Sequence, residues 1–173
     1  TPAGQGSIII GTPAGSQVSP AELARVVAVF QGAGLDCRET PDLEAVLWEK
    51  LLVNVAINPL TALLRVPNGA LPELPEAWAL SVAAGTETQA VARAAGITLN
   101  LDPEARLRQV CAATAANHSS MLQDVLAGRP TEIEALNAQV SARGAALAVP
   151  TPVNDLITRL LRALGQAGPY RLS

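Results

Sequence analysis

The sequence predicts a mainly α protein: a bundle of about six or seven helices over residues 41–173, preceded by a β-α-β segment over residues 1–40. Three observations carry this reading. Strand-like runs occur only near the start, as SIIIGT (7–12) and LDCRET (35–40). Beyond residue 41 the strand signals stop and helix caps recur. The 173 residues are 49% hydrophobic and 16% charged, a globular balance with enough chain for one good-sized core.

SIIIGT reads as a strand bounded by glycines. SPAELARVVAVFQGAG then reads as a helix, with Ser19 at the N-cap, Pro20 at N1, Glu22 at N3, and Gly32 and Gly34 as the stop. LDCRET is a short second strand. Together they spell an α/β fragment. Two strands do not make a sheet that stands alone, so the expectation is the last part of a larger α/β domain whose beginning is missing from this chain. Helices are expected at about 42–58, 59–66, 75–96, 102–117, 119–127, 131–147 and 152–164. Asn58-Pro59 and Asp102-Pro103 each pair an N-cap with an N1 proline. Thr131 and Glu134 have the spacing of a capping box, and Gly96 and Gly128 sit where C-caps belong. VPNGALPELPEA (66–77) and VPTPVND (149–155) are proline-marked breaks. No internal repeat is evident.

A net charge of −3 and a pI of about 5.1 argue against nucleic acid, which wants a basic face. Aromatics are 2%, too few for base-stacking platforms. Cys37 and Cys111 are far apart and in no CxxC, a reducing-compartment pattern without a disulfide framework or a zinc site. The N-terminus lacks the basic and apolar regions of a signal peptide, and no uninterrupted apolar stretch reaches ~18 residues. A soluble cytoplasmic protein with no membrane span and no metal is the expectation.

The stretch WEKLLVNVAINPLTALL (48–64) raises the functional question. Lys50, Asn54 and Asn58 follow one another at one-turn intervals, within ~80° on a helix surface. Leu47, Leu51, Leu52 and Val55 flank them, so the stripe borders an apolar face. Buried polar groups cost a few kcal/mol each unless partnered, so such a stripe lines solvent or binds something. Of the 12 cationic residues eleven are Arg, and Lys50 is the only lysine. Arg does not release its proton in a protein, whereas Lys does. Lys50 thus reads either as chance or as a site that needs a transferable proton. The amides of Asn54 and Asn58 suit a small ligand with carboxylate and hydroxyl groups, although Asn58 reads equally well as the N-cap before Pro59.

Other polar positions are ambiguous by themselves. Asn68, in PNG (67–69), is turn chemistry. His118, the only histidine, has no visible Asp or Cys partner for a triad or metal site. Ser119 or Ser120 is a natural N-cap, with Gln123 completing a box to Ser120; a helix N-terminus also binds anions. Glu132 reads as ordinary first-turn charge. GQGSIIIG is not GxGxxG, and no P-loop or GxSxG is present.

WEKLLVNVAINPLTALLRVPNGAL, HSSMLQDVLAGRPTEIEALN and LAVPTPVND together resemble the ketopantoate reductases (2-dehydropantoate 2-reductases), from GSIIIG to about residue 164. The K-x3-N-x3-NP-x-TAL and SSM-x-QD…TEI patterns carry the likeness. That family joins an N-terminal Rossmann domain, which binds NADPH, to a C-terminal helical domain, with the active site in the cleft between them. By resemblance, residues 1–40 are the end of the Rossmann domain and residues 41–173 the helical substrate domain. The activity implied is reduction of 2-dehydropantoate to pantoate with NADPH, in pantothenate and coenzyme A biosynthesis. Lys50 matches the general acid that protonates the ketone oxygen. Asn54, Asn58 and Ser120 match residues that hold the substrate's carboxylate and hydroxyls, Asn68 a further polar residue near the cleft, and Glu132 the acidic residue that hydrogen-bonds the substrate near the nicotinamide. A lysine hemmed by Val46, Leu51 and Val53 would have its pKa lowered toward working pH. The dinucleotide fingerprint is absent, so the chain alone is expected neither to bind NADPH well nor to turn over.

Two other readings stand beside this one: a reductase of another 2-oxo acid with the same architecture, and a non-catalytic helical interaction module lacking the cofactor domain. The expected partner is a small 2-oxo acid. Helical domains of this kind often dimerise, so a homodimer is a further expectation.

Overall fold

Ile8–Ile10 (β1) and Cys37–Glu39 (β2) pair in parallel, with Ile8 opposite Cys37 and Ile10 opposite Glu39. A parallel pair needs a crossover, supplied by the helix Pro20–Gly32 (α1). The structure, a computed structural model, describes residues 6–13 and 15–167, so the first five residues of the expected 1–40 segment lie outside the described residues. The capping box on α1 is formed: Ser19 Oγ accepts from the Glu22 N–H, and the Glu22 carboxylate accepts from the Ser19 N–H at 2.9 Å. The Ser19 hydroxyl also donates to the Glu22 carboxylate at 2.7 Å, and this bond, with the one from the Ser19 N–H, holds the Glu22 carboxyl below its usual range. Leu23 and Val27 form the buried face of α1, and Gln31 Nε2 donates to the Cys37 carbonyl at 2.7 Å. Both strands are shorter than the apolar runs suggested, three residues each.

The chain divides into two compact units, Thr1–Leu47 and Trp48–Ser173. The border falls inside the helix Leu43–Leu64 (α2), which begins at an Asp42 cap where Oδ1 accepts from the Ala45 N–H. Two helices were expected here, broken at Asn58-Pro59; the structure has one, with Pro59 inside it. Proline has no N–H, so the carbonyl four residues earlier, on Val55, loses its helical partner. That carbonyl instead accepts from Asn137 Nδ2 at 3.0 Å. The next three carbonyls also take side-chain donors: Ala56 from Ser81 Oγ, Ile57 from Thr61 Oγ1, and Asn58 from Thr61 Oγ1, each at 3.0 Å. Proline inside a helix costs roughly 3 kcal/mol, much of it through the orphaned carbonyl, so these donors allow the helix to continue.

The second unit also contains the 3-10 turn Asn68–Glu73 and the helices Pro75–Ala94 (α3), Pro103–Ala113 (α4), Ser120–Leu126 (α5), Asn137–Ala146 (α6) and Pro152–Gln166 (α7). Ser81 and Gly85 on α3, Arg106 on α4, Ser119 at the head of α5 and Asn137 on α6 all touch α2. By length and composition alone α2 is apolar enough to cross a membrane. Here its face Leu52, Val55, Ala56, Ile57 and Leu60 is buried within the bundle. Val55, Val91 and Val140 pack together beneath Trp48, Leu51, Leu136 and Val149.

Four further expectations are corrected. The 102–117 helix ends at Ala113, because Thr114 Oγ1 turns back to the Val110 carbonyl and the next residues pair elsewhere: Ala115 O accepts from the Gly69 N–H and Asn117 O from the Asn68 N–H. The 131–147 helix is a 3-10 turn, Glu132–Glu134, followed by α6. Its capping box is not formed; Thr131 makes no side-chain cap bond, and Glu134 instead pairs with Arg162 through two bonds of 2.7 and 2.6 Å. Of the two candidate caps on α5, Ser119 is the one used, and the expected box from Gln123 to Ser120 is not formed, because Gln123 Nε2 donates to the His118 carbonyl. Gly96 and Gly128 do follow helix ends with φ of 86° and 67°, the left-handed conformation a C-terminal stop requires.

Gly69 is where the 3-10 turn meets the 114–117 segment. A Cβ there would lie 2.6 Å from Ala115 Cβ and 2.8 Å from its Cα. Since backbone cannot yield cheaply, Gly69→Ala is expected to destabilise by roughly 1–3 kcal/mol, read as a shift in the urea midpoint.

Candidate functional site

Along α2, Lys50 is exposed and Asn54 and Asn58 are half-buried. Positions 50, 54 and 58 share one face because they are one turn apart. Among the described residues, the side chains of these three make no hydrogen bond or ion pair. The carbonyls of the Pro59 turn, by contrast, are occupied. The stripe therefore presents an amine and two amides that the fold itself does not use. One expectation fails: Lys50 is exposed and is not enclosed by Val46, Leu51 and Val53.

The head of α5 is joined to the Asn58 turn. Thr61 Oγ1 and Ser119 Oγ share a buried 2.8 Å hydrogen bond, and Ser119 Oγ lies 3.4 Å from the Asn58 carbonyl. Ser119 Oγ also accepts from the Leu122 N–H, which fixes its rotamer. Ser120, the first residue of α5, is exposed immediately after this anchor. Asn68 is buried, at 8% exposure; its Nδ2 donates to Thr114 Oγ1 at 3.0 Å, and its Oδ1 is buried without a partner among the described residues. It is therefore tied to the segment that leads into Ser119, and is more than turn chemistry. Thus Asn58, Asn68 and Ser120 sit on three segments stitched to one another.

Glu132 is exposed at the start of its 3-10 turn, and its carbonyl accepts from the Ala135 and Leu136 N–H groups. Its connection to α2 runs through its neighbours: Leu136 packs on the Val55 cluster, and Asn137 bonds the Val55 carbonyl. Among the described residues, neither Lys50 nor Ser120 is joined to Glu132 by a hydrogen bond or ion pair.

A groove of about 360 Å³ lies elsewhere, between Val125, Gly128, Thr131 and the end of α7 at Leu161 and Gly165. None of the six candidate residues lines it; its polar side chains are Arg129, which is paired with Asp124, and Thr131. Cys37 and Cys111 are both free and buried. Burial pushes the Cys111 thiol up to about 11, so it stays protonated and is no nucleophile. Among the described residues no cluster of three or more His, Cys, Asp or Glu could hold a metal ion.

Sequence reasoning named Ser119 only as a cap and missed Thr61, which bonds it, and Asn137, which donates to the Val55 carbonyl with Asn154 and Glu87 behind it, as residues that brace this site. Nothing local signalled them, because Pro59 reads in sequence as the first residue of a new helix and only the folded α2 shows that it leaves a carbonyl to be satisfied from elsewhere.

Residues 42–165 match the family described as ketopantoate reductase PanE/ApbA C terminal. The chain is 39% identical over 166 residues to the 2-dehydropantoate 2-reductase of Halobacterium salinarum, covering 96% of this chain and 54% of that protein. It is 38% identical over 144 residues to the enzyme of the same name from Pyrobaculum aerophilum, covering 83% and 52%. Among solved structures it resembles a PanE/ApbA family ketopantoate reductase from Ralstonia eutropha, with a TM-score of 0.83 and 30% identity over 95% of this chain and 53% of that one. A D-mandelate dehydrogenase with NADH shares the fold, with a TM-score of 0.85 at 24% identity, over 95% of this chain and 56% of that one. The chain spans about half the length of the relatives it matches.

Proposed function

The chain belongs to the ketopantoate reductase C-terminal family, and from that premise we propose that it is the substrate-holding, proton-donating part of an NADPH-dependent 2-dehydropantoate 2-reductase. The observation that carries this is the stripe on α2. Lys50, Asn54 and Asn58 are uncommitted, while the carbonyls of the adjoining Pro59 turn are saturated by side chains.

Reduction of a ketone places negative charge on its oxygen, which a nearby cation and proton donor stabilise. Lys50 supplies both. Asn54 and Asn58 each offer two donors and an acceptor to the carboxylate and hydroxyl groups of the 2-oxo acid. Ser120 and Asn68 add polar groups from the segments stitched to the Asn58 turn, and Glu132 orients the substrate from the α6 side.

The described residues build no dinucleotide cradle. The connection from β1 to α1 lacks the spaced glycines that let a pyrophosphate approach the backbone. We therefore assign the hydride to NADPH held by protein outside this chain, with residues 1–40 as the end of that nucleotide-binding domain and 41–173 as the substrate domain. By itself the chain is expected not to turn over, nor to bind NADPH near micromolar affinity, as a fluorescence titration would read. A cytoplasmic location agrees with two free cysteines. A homodimer is part of the same reading, supported by the dimeric Staphylococcus aureus ketopantoate reductase, 27% identical with a TM-score of 0.68.

The decisive assay gives the intact gene product ketopantoate and a panel of other 2-oxo acids and follows NADPH oxidation. Preference for ketopantoate supports the proposal. Preference for another acid moves the substrate assignment, and no reduction of any 2-oxo acid ends it. Glu132→Ala in that protein is expected to lower kcat about 10²-fold, chiefly by loss of orientation.

A further inference from the structure

We infer that Asn137 is a positioning residue for the α2 stripe, and that it acts by replacing the backbone donor that Pro59 lacks. The inference rests on the function proposed above and names how its site is held in shape.

Pro59 leaves the Val55 carbonyl without its helical N–H, between the turn that bears Asn54 and the turn that bears Asn58. Val55 and Asn137 are both fully buried, so water cannot complete the bond. Asn137 Nδ2 donates to that carbonyl at 3.0 Å and to Asn154 Oδ1 at 2.9 Å, so both of its amide hydrogens are placed. Asn154 is itself oriented. Its Nδ2 donates to the Ala84 carbonyl at 3.1 Å and to Glu87 Oε2 at 2.7 Å. A carboxylate accepts and does not donate, so Asn154 must present its NH₂ to Glu87 and its oxygen to Asn137. Asn137 must then present its own NH₂ onward to α2. The chain of polarity starts at Glu87 on α3 and ends at the break in α2.

Asn137 also begins α6, next to its N-cap Leu136 and three residues after the Glu132–Glu134 turn. One side chain thus fastens the Glu132 segment to α2 at the point where α2 is weakest. A packing residue alone would not need a donor there, nor an oriented relay behind it.

The test is a double-mutant cycle in the intact gene product, with Asn137→Ala, Pro59→Ala and both together, reading kcat, KM for ketopantoate and Tm on the same preparations. The Pro59→Ala change restores the N–H that Val55 lacks. With Pro59 present, Asn137→Ala is expected to lower kcat about tenfold. In the Pro59→Ala background, the same change is expected to lower kcat less than about twofold. Equal losses in the two backgrounds overturn the inference, because Asn137 would then act independently of the proline. So does a loss of Tm with kcat unchanged, which would make the residue merely structural. If Asn137→Ala does not fold, Asn137→Ser takes its place in both backgrounds, with the same two outcomes deciding. A parent protein that does not reduce ketopantoate overturns the proposed activity itself; an active parent with no coupling overturns only this inference.

Discussion

Lys50→Ala in the intact gene product is expected to lower kcat for ketopantoate by about 10²-fold or more, with a smaller change in KM. The loss falls on kcat because negative charge on the carbonyl oxygen develops only as the ketone is reduced, so the cation is most needed in the transition state. Lys50→Arg separates the two roles of the amine. Arginine keeps the positive charge but does not release a proton, so it is expected to recover only a small part of the activity. The structure makes this test clean, because the Lys50 side chain is exposed and forms no ion pair among the described residues, so its removal breaks nothing in the fold. An unchanged Tm together with the kinetic loss is the expected signature. A kcat within about threefold of the parent would remove Lys50 as the acid.

Glu87→Ala is expected to produce the largest loss of stability among the polar substitutions, about 3 kcal/mol, or a fall in Tm of roughly 10 °C for a chain of this size. The helix α7 begins with Thr151 at its N-cap, yet Thr151 makes no side-chain cap bond. Glu87, on α3, caps it from a distance: its carboxylate accepts from the Val153 N–H at 2.9 Å, the Asn154 N–H at 3.0 Å and Asn154 Nδ2 at 2.7 Å. Three donors to one charged acceptor, two of them at the positive end of a helix, are worth more than an ordinary cap. Alanine leaves two orphan N–H groups, and Asn154 loses the bond that orients its amide. Glu87→Gln retains one acceptor oxygen and is expected to lose about half as much. A Tm within about 2–3 °C of the parent for Glu87→Ala, read by calorimetry, would show that α7 finds its cap elsewhere.

The types of most elements were legible in the sequence, and so were the local caps. Ser19 with Glu22, Asp102 before Pro103, and the glycines at 96 and 128 do what their spacing said. Each of these interactions closes within a few residues, so nothing remote can easily outweigh it. The polar stripe on α2 was equally legible, because helical period alone places Lys50, Asn54 and Asn58 on one face. Roles for Ser120 and Glu132 came from the family likeness and not from spacing. Taken singly they look like cap chemistry, and the cap on α5 is in fact Ser119.

By itself, then, the sequence determined where most helices and strands begin, which face of α2 carries polar groups, and to which family the chain belongs. Tertiary structure alone decided that α2 runs through Pro59, that Glu134 leaves its capping box for Arg162, and that Glu87 caps α7. At Val55 and at the head of α7 the reason is the cost of a buried polar group without a partner, about 1–3 kcal/mol; the exposed Glu134 carboxylate instead finds a charged partner in Arg162. The local partner is missing at Val55 and at the head of α7, and at Glu134 it is outcompeted. The partners of the Val55 carbonyl, the Glu134 carboxylate and the Asn154 N–H come from 82, 28 and 67 residues away, respectively, and are brought into reach only when the helices pack.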